Sequence, residues 1–260
     1  MSDDLVSIIM PSHNCGQFVG DAIRSIINQT YTNWELLVVD DCSEDDTQSV
    51  VQSFRDPRIR YLRNEERQGA ALTRNRALRE AKGCWMAFLD SDDLWFPDKL
   101  EHQIRFMEEH NYHFTYTDYV EIDVQGRETG VHVTGPKHIN KWGMWAFCWP
   151  GCLTVMYDAK HVGLIQIRDI RRNNDYDMWL KVINKADCYL LKENLAQYRR
   201  GRKGSVSTQQ YVTLIKWHYL LFRVAEQKSV FTSVILTCRN LFYGVVKKLL
   251  YVHAYTSESR

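Results

Sequence analysis

Three carboxylates stand within four positions at Asp90-Ser91-Asp92-Asp93. They follow an apolar run, Trp85 to Leu89, that reads as a buried strand. Carboxylates crowded at the end of a strand repel one another unless a cation lies among them. Hard divalent ions such as Mg2+ or Mn2+ are held by one or two carboxylates together with phosphate oxygens. A helix start also explains the cluster, since Asp92 or Asp93 ahead of Pro97-Asp98-Lys99-Leu100 suits a helix N-terminus.

The elements around this cluster favour the first explanation. Val6 to Met10 reads as a strand stopped by Pro11, and Phe18, Val19, Ala22, Ile23, Ile26 and Ile27 recur at helical spacing after it. Leu36 to Val39 is apolar throughout, as in a strand covered on both faces, and runs into Asp40-Asp41-Cys42-Ser43. A helix from about 45 to 54, a short strand at 59–62 and an Ala- and Arg-rich helix from 68 to 82 follow. Strand and helix thus alternate four times in the first 100 residues, which predicts an α/β fold with a mostly parallel central sheet and flanking helices. Ligands of such sheets bind at the C-terminal strand edges, where Ser12-His13-Asn14, Asp40-Asp41 and Asp90-Ser91-Asp92 all fall. Neither Gly-x-Gly-x-x-Gly nor a Gly-Lys-Ser/Thr loop is present, so the dinucleotide and P-loop fingerprints are missing.

The later half differs. Strands are expected at 114–120, at 152–157 and in two short pieces at 188–191 and 196–198, with a hairpin around Gln125-Gly126. Residues 175–186 read as a helix, and an aromatic segment carries Trp142, Trp145 and Trp149. The basic loop Arg199-Arg200-Gly201-Arg202-Lys203 precedes a tail, 211–255, that is helical in pattern. That tail holds six Lys/Arg against one Glu226. Its longest uncharged run, Ser229 to Cys238, is too short to span a bilayer, so surface association, packing on the domain or a homodimer contact are the expectations. Seven scattered cysteines without a Cys-x-x-Cys pair suggest reduced thiols in a cytoplasmic setting. Met1-Ser2-Asp3-Asp4 is acidic and is not expected to be a signal peptide. A net charge of +1 gives no global reason to expect nucleic acid.

With these motifs placed, the chain resembles the inverting glycosyltransferases of family 2, which have the GT-A nucleotide-sugar fold. The resemblance rests on an ordered set over roughly 5–208: Val6 to Asn14, Ser25 to Tyr31, Glu35 to Ser43, Gly69 with Arg74-Asn75-Arg76-Ala77, the Asp-x-Asp motif at Asp90-Ser91-Asp92, and Asn174-Asp175-Tyr176-Asp177. It implies a catalytic domain at 1–208, with a donor-binding half to about 112 and an acceptor-binding half after it, and a basic amphipathic helical tail at 209–260.

The resemblance further implies that Asp41 pairs with the base of a nucleotide covered by Pro11 to His13, and that Arg74 contacts the nucleotide or diphosphate. Asp92 would hold a Mn2+ or Mg2+ ion, with Asp90 on the ribose or the metal and Ser91 beside them. Asp175 would be the catalytic base. Arg202 belongs to a loop that would close over the donor diphosphate or hold a lipid pyrophosphate. Trp142, Trp145 and Trp149 form either an acceptor platform or core packing. Asp40 and Asp177 are the rivals of Asp41 and Asp175, and Asn174 stands where the family usually has Glu. The expected reaction moves a hexosyl unit from a nucleotide sugar, in particular a UDP-sugar, to a hydroxyl of a lipid-linked saccharide. The place would be the inner face of the cell membrane, where the protein would be peripheral, and the process surface-polysaccharide synthesis. Transfer to a polyprenyl phosphate and a non-catalytic assembly scaffold are the alternatives.

Overall fold

The computed structural model describes residues 4–202 and 211–254. Its first half is β1 (Val6–Ser12), α1 (Gly16–Ile27), β2 (Trp34–Asp40), α2 (Thr47–Ser53), β3 (Ile59–Arg63), α3 (Ala70–Glu80), β4 (Trp85–Phe88), β5 (Leu94–Trp95) and α4 (Lys99–His110). The second half is β6 (Phe114–Ile122), β7 (Glu128–Val133), β8 (His138–Ile139), α5 (Lys141–Ala146), β9 (Met156–Asp158), α6 (Ala159–Val162), α7 (Asn174–Val182) and β10 (Cys188–Arg199). After it come α8 (Tyr211–Leu220), a π-turn at Leu221–Ala225, α9 (Val230–Leu250) and β11 (Val252–Ala254).

The strands form one mixed sheet in the order β11-β7-β6-β9-β4-β1-β2-β3, and β10 joins it beside β6. β1 is parallel to β2 and to β4, and β2 to β3. β9 runs antiparallel to both β4 and β6, so β6 keeps the direction of β4, and β10 is parallel to β6. The C-terminal ends of β1, β2, β4, β6 and β10 therefore open onto one edge. The chain leaves β1 toward β2 and β3, then crosses back to β4 on its other side. That reversal leaves a crevice between β1 and β4 in which a ligand can sit.

Alternate residues of each inner strand enter different cores. Ile9, Leu37 and Phe88 pack with α3, α5 and α7 on one face, and Ile8, Met10, Leu36, Val38 and Ala87 with α1 and α4 on the other. This double cover explains the unbroken apolar run of β2. Pro11 sits where β4 has stopped pairing with β1, so its missing N–H costs the ladder nothing on that side.

Three expectations change. Residues 188–199 form one strand, not two, because register shifts near Asn194 keep it paired to β6 across the break. Residues 152–154 form a 3-10 turn before the short β9. The tail is not helical throughout, since Val252–Ala254 pairs antiparallel with β7 and becomes part of the sheet. Among the described residues no helix is long and apolar enough to cross a membrane.

Candidate active site

Each edge cluster is positioned by a different device. After β2, Asp40 is buried and consumed by its own turn: its carboxylate accepts from Ser43 N (3.0 Å), Ser43 Oγ and the Tyr61 hydroxyl (2.6 Å). Asp41 points elsewhere. It accepts from Asn64 Nδ2, Gln68 N and Gly69 N, each at 2.8 Å. Gly69 has φ +85°, a left-handed conformation that delivers its N–H to Asp41 and opens α3. Burial works against the Asp41 charge, but these donors hold its pKa below the ordinary value. His13 is tied in beside it, Nδ1 donating to Asp41 O (2.8 Å).

The Arg74-Asn75-Arg76 triplet on α3 is wired in three directions. Asn75 exchanges two 2.6 Å hydrogen bonds with the Ile167 backbone, which pins the segment leading into α7. Arg76 donates to Arg63 O (2.6 Å) and Asn64 Oδ1 (2.9 Å), fixing the exit of β3. Arg74 is buried and turns into the crevice. Its guanidinium donates to Asp90 Oδ1 (2.5 Å) and to Asn174 Oδ1 at the start of α7. Burial disfavours that charge, yet Asp90 and, more weakly, Asp175 keep Arg74 protonated.

The Asp90–Asp93 turn is surrounded by arginines. Arg202 Nη1 donates to Asp92 Oδ2 (3.0 Å) and its other nitrogen to His13 O (3.2 Å) and Asn14 O (3.3 Å), which ties the end of the described loop to the β1–α1 joint. Arg199 donates through Nε to Asp92 O and through its backbone N–H to Asp93 Oδ1, both at 2.8 Å. Arg200 turns away to Glu121 (2.8 Å), and Lys203 lies outside the described residues. Burial and then the neighbouring Asp90 push the Asp92 carboxyl above its ordinary pKa; burial and then Asp92 push Asp93 well above it. Ser91 is buried, with its carbonyl accepting from Cys15 Sγ (3.4 Å).

This donor set fits a divalent cation. Asp90 and Asp92 are part-exposed carboxylates whose mutual repulsion a cation would relieve. No group of three or more His, Cys, Asp or Glu side chains that could hold a metal occurs among the described residues. A cation held by this pair would complete its shell with phosphate oxygens and water, as Mg2+ commonly does.

Asp175 occupies the first turn of α7, beside the Asn174 that receives Arg74. Its carboxylate is half-buried, and burial first, then Asp90, pushes its pKa up against the opposing pull of Arg74. Asp177 is spent structurally: it is fully buried, ion-paired to Lys181 Nζ (2.6 Å), and accepts from Arg168 N (2.9 Å). The three tryptophans are not brought together as a platform. Trp149 is buried among Phe147, Tyr243 and Tyr251, and Trp145 packs on Phe222 under Lys228. Trp142 alone is exposed. Aromatic density reads the same in a core as on a platform, so the sequence did not separate the two.

One residue of the crevice escaped the sequence reading. Cys15 is buried between Ser91 O and Arg202 Nη1, each 3.4 Å from its sulfur, and burial pushes its thiol up to about 12. Arg199, named in the basic loop, proves to be the last residue of β10, directly after Tyr198.

Residues 7–145 match glycosyl transferase family 2. The chain belongs to that family. It is 43% identical over 183 residues to the Escherichia coli enzyme WfgD, covering 70% of this chain and 71% of WfgD. It is 37% identical over 213 residues to E. coli WfaP, covering 82% and 84%. Both are named UDP-Glc:alpha-D-GlcNAc-diphosphoundecaprenol beta-1,3-glucosyltransferases. Among solved structures, S. aureus TarS 1–349 in complex with UDP-GlcNAc superposes with a TM-score of 0.69 at 19% identity, over 91% of this chain and 71% of that one, which shows the shared GT-A fold. The protein is a glycosyltransferase.

Proposed function

We propose that the protein transfers a hexosyl unit from a UDP-sugar to a hydroxyl of a saccharide carried on a lipid diphosphate, with inversion, in surface-polysaccharide synthesis. The observation that carries this reading is the Arg74 bridge. One guanidinium joins Asp90 of the acidic turn to Asn174, whose neighbour is Asp175. A donor diphosphate lying over the acidic turn would therefore have its anomeric carbon close to the Asp175 carboxylate. The names of WfgD and WfaP supply the donor and acceptor classes.

In this reading residues 1–112 hold the donor and 113–208 receive the acceptor. Asp41 accepts from the base under the Pro11–His13 loop, Asp90 and Ser91 line the ribose and diphosphate, and Asp90 and Asp92 hold a Mn2+ or Mg2+ ion. When bound, that ion neutralises charge on the diphosphate. Asp175 takes the proton of the acceptor hydroxyl as its oxygen bonds to the anomeric carbon. The carbon–oxygen bond to the diphosphate breaks, and its electron pair leaves with the nucleoside diphosphate. Arg74 and Arg202 face that developing charge, and guanidinium forks suit phosphate oxygens. One displacement from the face opposite the leaving group converts an α-linked donor into a β-linked product. The raised pKa of Asp175 makes it a stronger base than an exposed aspartate. Such an acceptor would bring the protein to the inner face of the cell membrane as a peripheral protein.

The test is release of nucleoside diphosphate from a panel of nucleotide sugars, with and without Mn2+, by the wild type and Asp92→Ala. Cation-dependent turnover of one UDP-sugar, lost in the variant, is the expected result. Equal turnover with excess chelator, or release of pyrophosphate instead, would overturn the reading.

A further inference from the structure

Helix α9 rests Leu236, Tyr243 and Val246 on the core, yet the side chains it buries fully are polar and its other apolar residues face outward. Its buried positions are Ser233, Thr237 and Asn240, followed on the same side by Gly244 against the Phe147 ring and by Lys247, whose Nζ donates to Trp149 O (2.7 Å). Steps of four, three, four and three residues keep these on one stripe. Two of the inward side chains find partners: Thr237 Oγ1 donates to Ser233 O (2.7 Å) and Asn240 Nδ2 to the Tyr176 hydroxyl (3.1 Å). The opposite stripe is Phe231, Ile235, Cys238, Phe242, Val245 and Leu249, all exposed, with Phe231 at 75% and Leu249 at 73%. Over the 21 residues of α9 this apolar stripe runs for about 30 Å. Helix α8 packs beside it and exposes Leu214 and Ile215.

A helix at a water-facing surface turns its apolar side inward. A contiguous apolar face of this length turned outward marks a contact with a partner or a lipid surface. The flanking charge selects between them. Residues 211–254 carry six Lys/Arg, of which Lys247 turns inward, and one acid, Glu226, which is ion-paired to Arg168 (3.2 Å). Two copies of this face would bring like charges together, whereas anionic headgroups complement them. No described helix can cross a membrane, so the fitting arrangement is a helix lying in the interface.

We propose that the outward stripe of α9 is a docking face for an anionic lipid surface. The proposal rests on the lipid-linked acceptor for its purpose; its chemistry stands independently. Through Asn240 and Tyr176, the docked helix is bonded to the residue that follows the proton acceptor Asp175.

The experiment is co-sedimentation of the full chain with phosphatidylglycerol vesicles and with phosphatidylcholine vesicles. The wild type is compared with Phe231→Glu/Val245→Glu and with Lys216→Glu/Lys248→Glu. Calorimetric binding of UDP with Mn2+ is measured on each as a control for an intact donor site. The wild type is expected to pellet with the anionic vesicles. The apolar double variant should bind both vesicle types about tenfold or more weakly, since each lost insertion forfeits the burial of a large apolar side chain. The charge variant should lose only the preference for anionic lipid, and UDP binding should be unchanged in both. Wild-type protein that stays in the supernatant at low salt would overturn the proposal. So would a dimer, seen by light scattering, that the apolar variant dissociates without any vesicle binding. Absence of UDP binding by the wild type would instead sink the donor assignment and leave the sedimentation result standing.

Discussion

Asp41 and the Asp90–Asp93 turn lie on the same sheet edge and are built from the same residue type, yet their carboxylates live differently. Asp41 is supplied with three donors from one loop and is held below its ordinary pKa. Asp92 and Asp93 are pushed up by burial and then by neighbouring carboxylates, as is Asp175 across the crevice. The first carboxylate organises a loop. The others are buried beside like charge, which is the state that favours taking up a proton or a cation. Position at a strand edge therefore does not define a carboxylate's task; the count of donors around it does.

Substitutions should separate the two kinds. The largest effect belongs to Asp175→Asn, which keeps an acceptor for Tyr176 N (2.9 Å) but cannot take a proton. Turnover should fall about 10²–10⁴-fold with UDP binding retained. A loss of only a few-fold in steady-state rate would place the base elsewhere. Arg74→Lys should come next. One ammonium cannot serve Asp90 and Asn174 together as a planar fork does, and loss of one charged hydrogen bond worth about 1.5–3 kcal/mol should lower kcat roughly ten- to hundredfold. Asp41→Asn should act on stability: its amide cannot accept all three donors, and a stranded backbone N–H costs about 1–3 kcal/mol, readable in urea denaturation.

Asp93→Asn should show the smallest and opposite effect. The amide oxygen can still accept from Arg199 N, while the cost of burying a charge and then its repulsion by Asp92 are removed, so Tm at neutral pH should rise. The pH dependence sharpens the contrast. Asp41, with its lowered pKa, stabilises above its unfolded value and loses that contribution as pH falls through its folded one. Asp93, with its raised pKa, costs stability above its folded value, and the cost vanishes below the unfolded one. The gain from Asp93→Asn should therefore disappear in acid. A Tm gain that persists there would mean the buried charge is not its source. In turnover, the acid limb of kcat/KM should fall above the ordinary aspartate value of about 3.9, because Asp175 must be ionised to act.

Much of the first half was legible because its signals are local. Four strand–helix alternations gave the parallel sheet, and the strand ends gave Ser12-His13, Asp40-Asp41 and Asp90–Asp93 as one edge. Asp40 is occupied by Ser43 and by Tyr61 of β3, which leaves Asp41 as the proposed partner of the base. What escaped depends on pairing at a distance. The bond from Arg74 to Asn174 spans 100 positions, and no periodicity announces it. The departure at Asn174 looked like a loss, yet its amide oxygen is what receives the guanidinium. Helix α9 misleads for another reason. A helical period shows that two faces exist, and only packing decides which one turns inward; here Ser233, Thr237 and Asn240 do.

The pairing of β11 with β7 has a consequence for how the chain is made. β7 presents one edge to β6 and the other to β11, so until residues 252–254 leave the ribosome that second edge stands open. An open edge is a template for pairing with other chains. The strand that closes it follows directly on α9, so the two emerge from the ribosome together. Chains truncated before Val252 should therefore aggregate in proportion to their concentration, even though every residue assigned to sugar transfer would already have been translated.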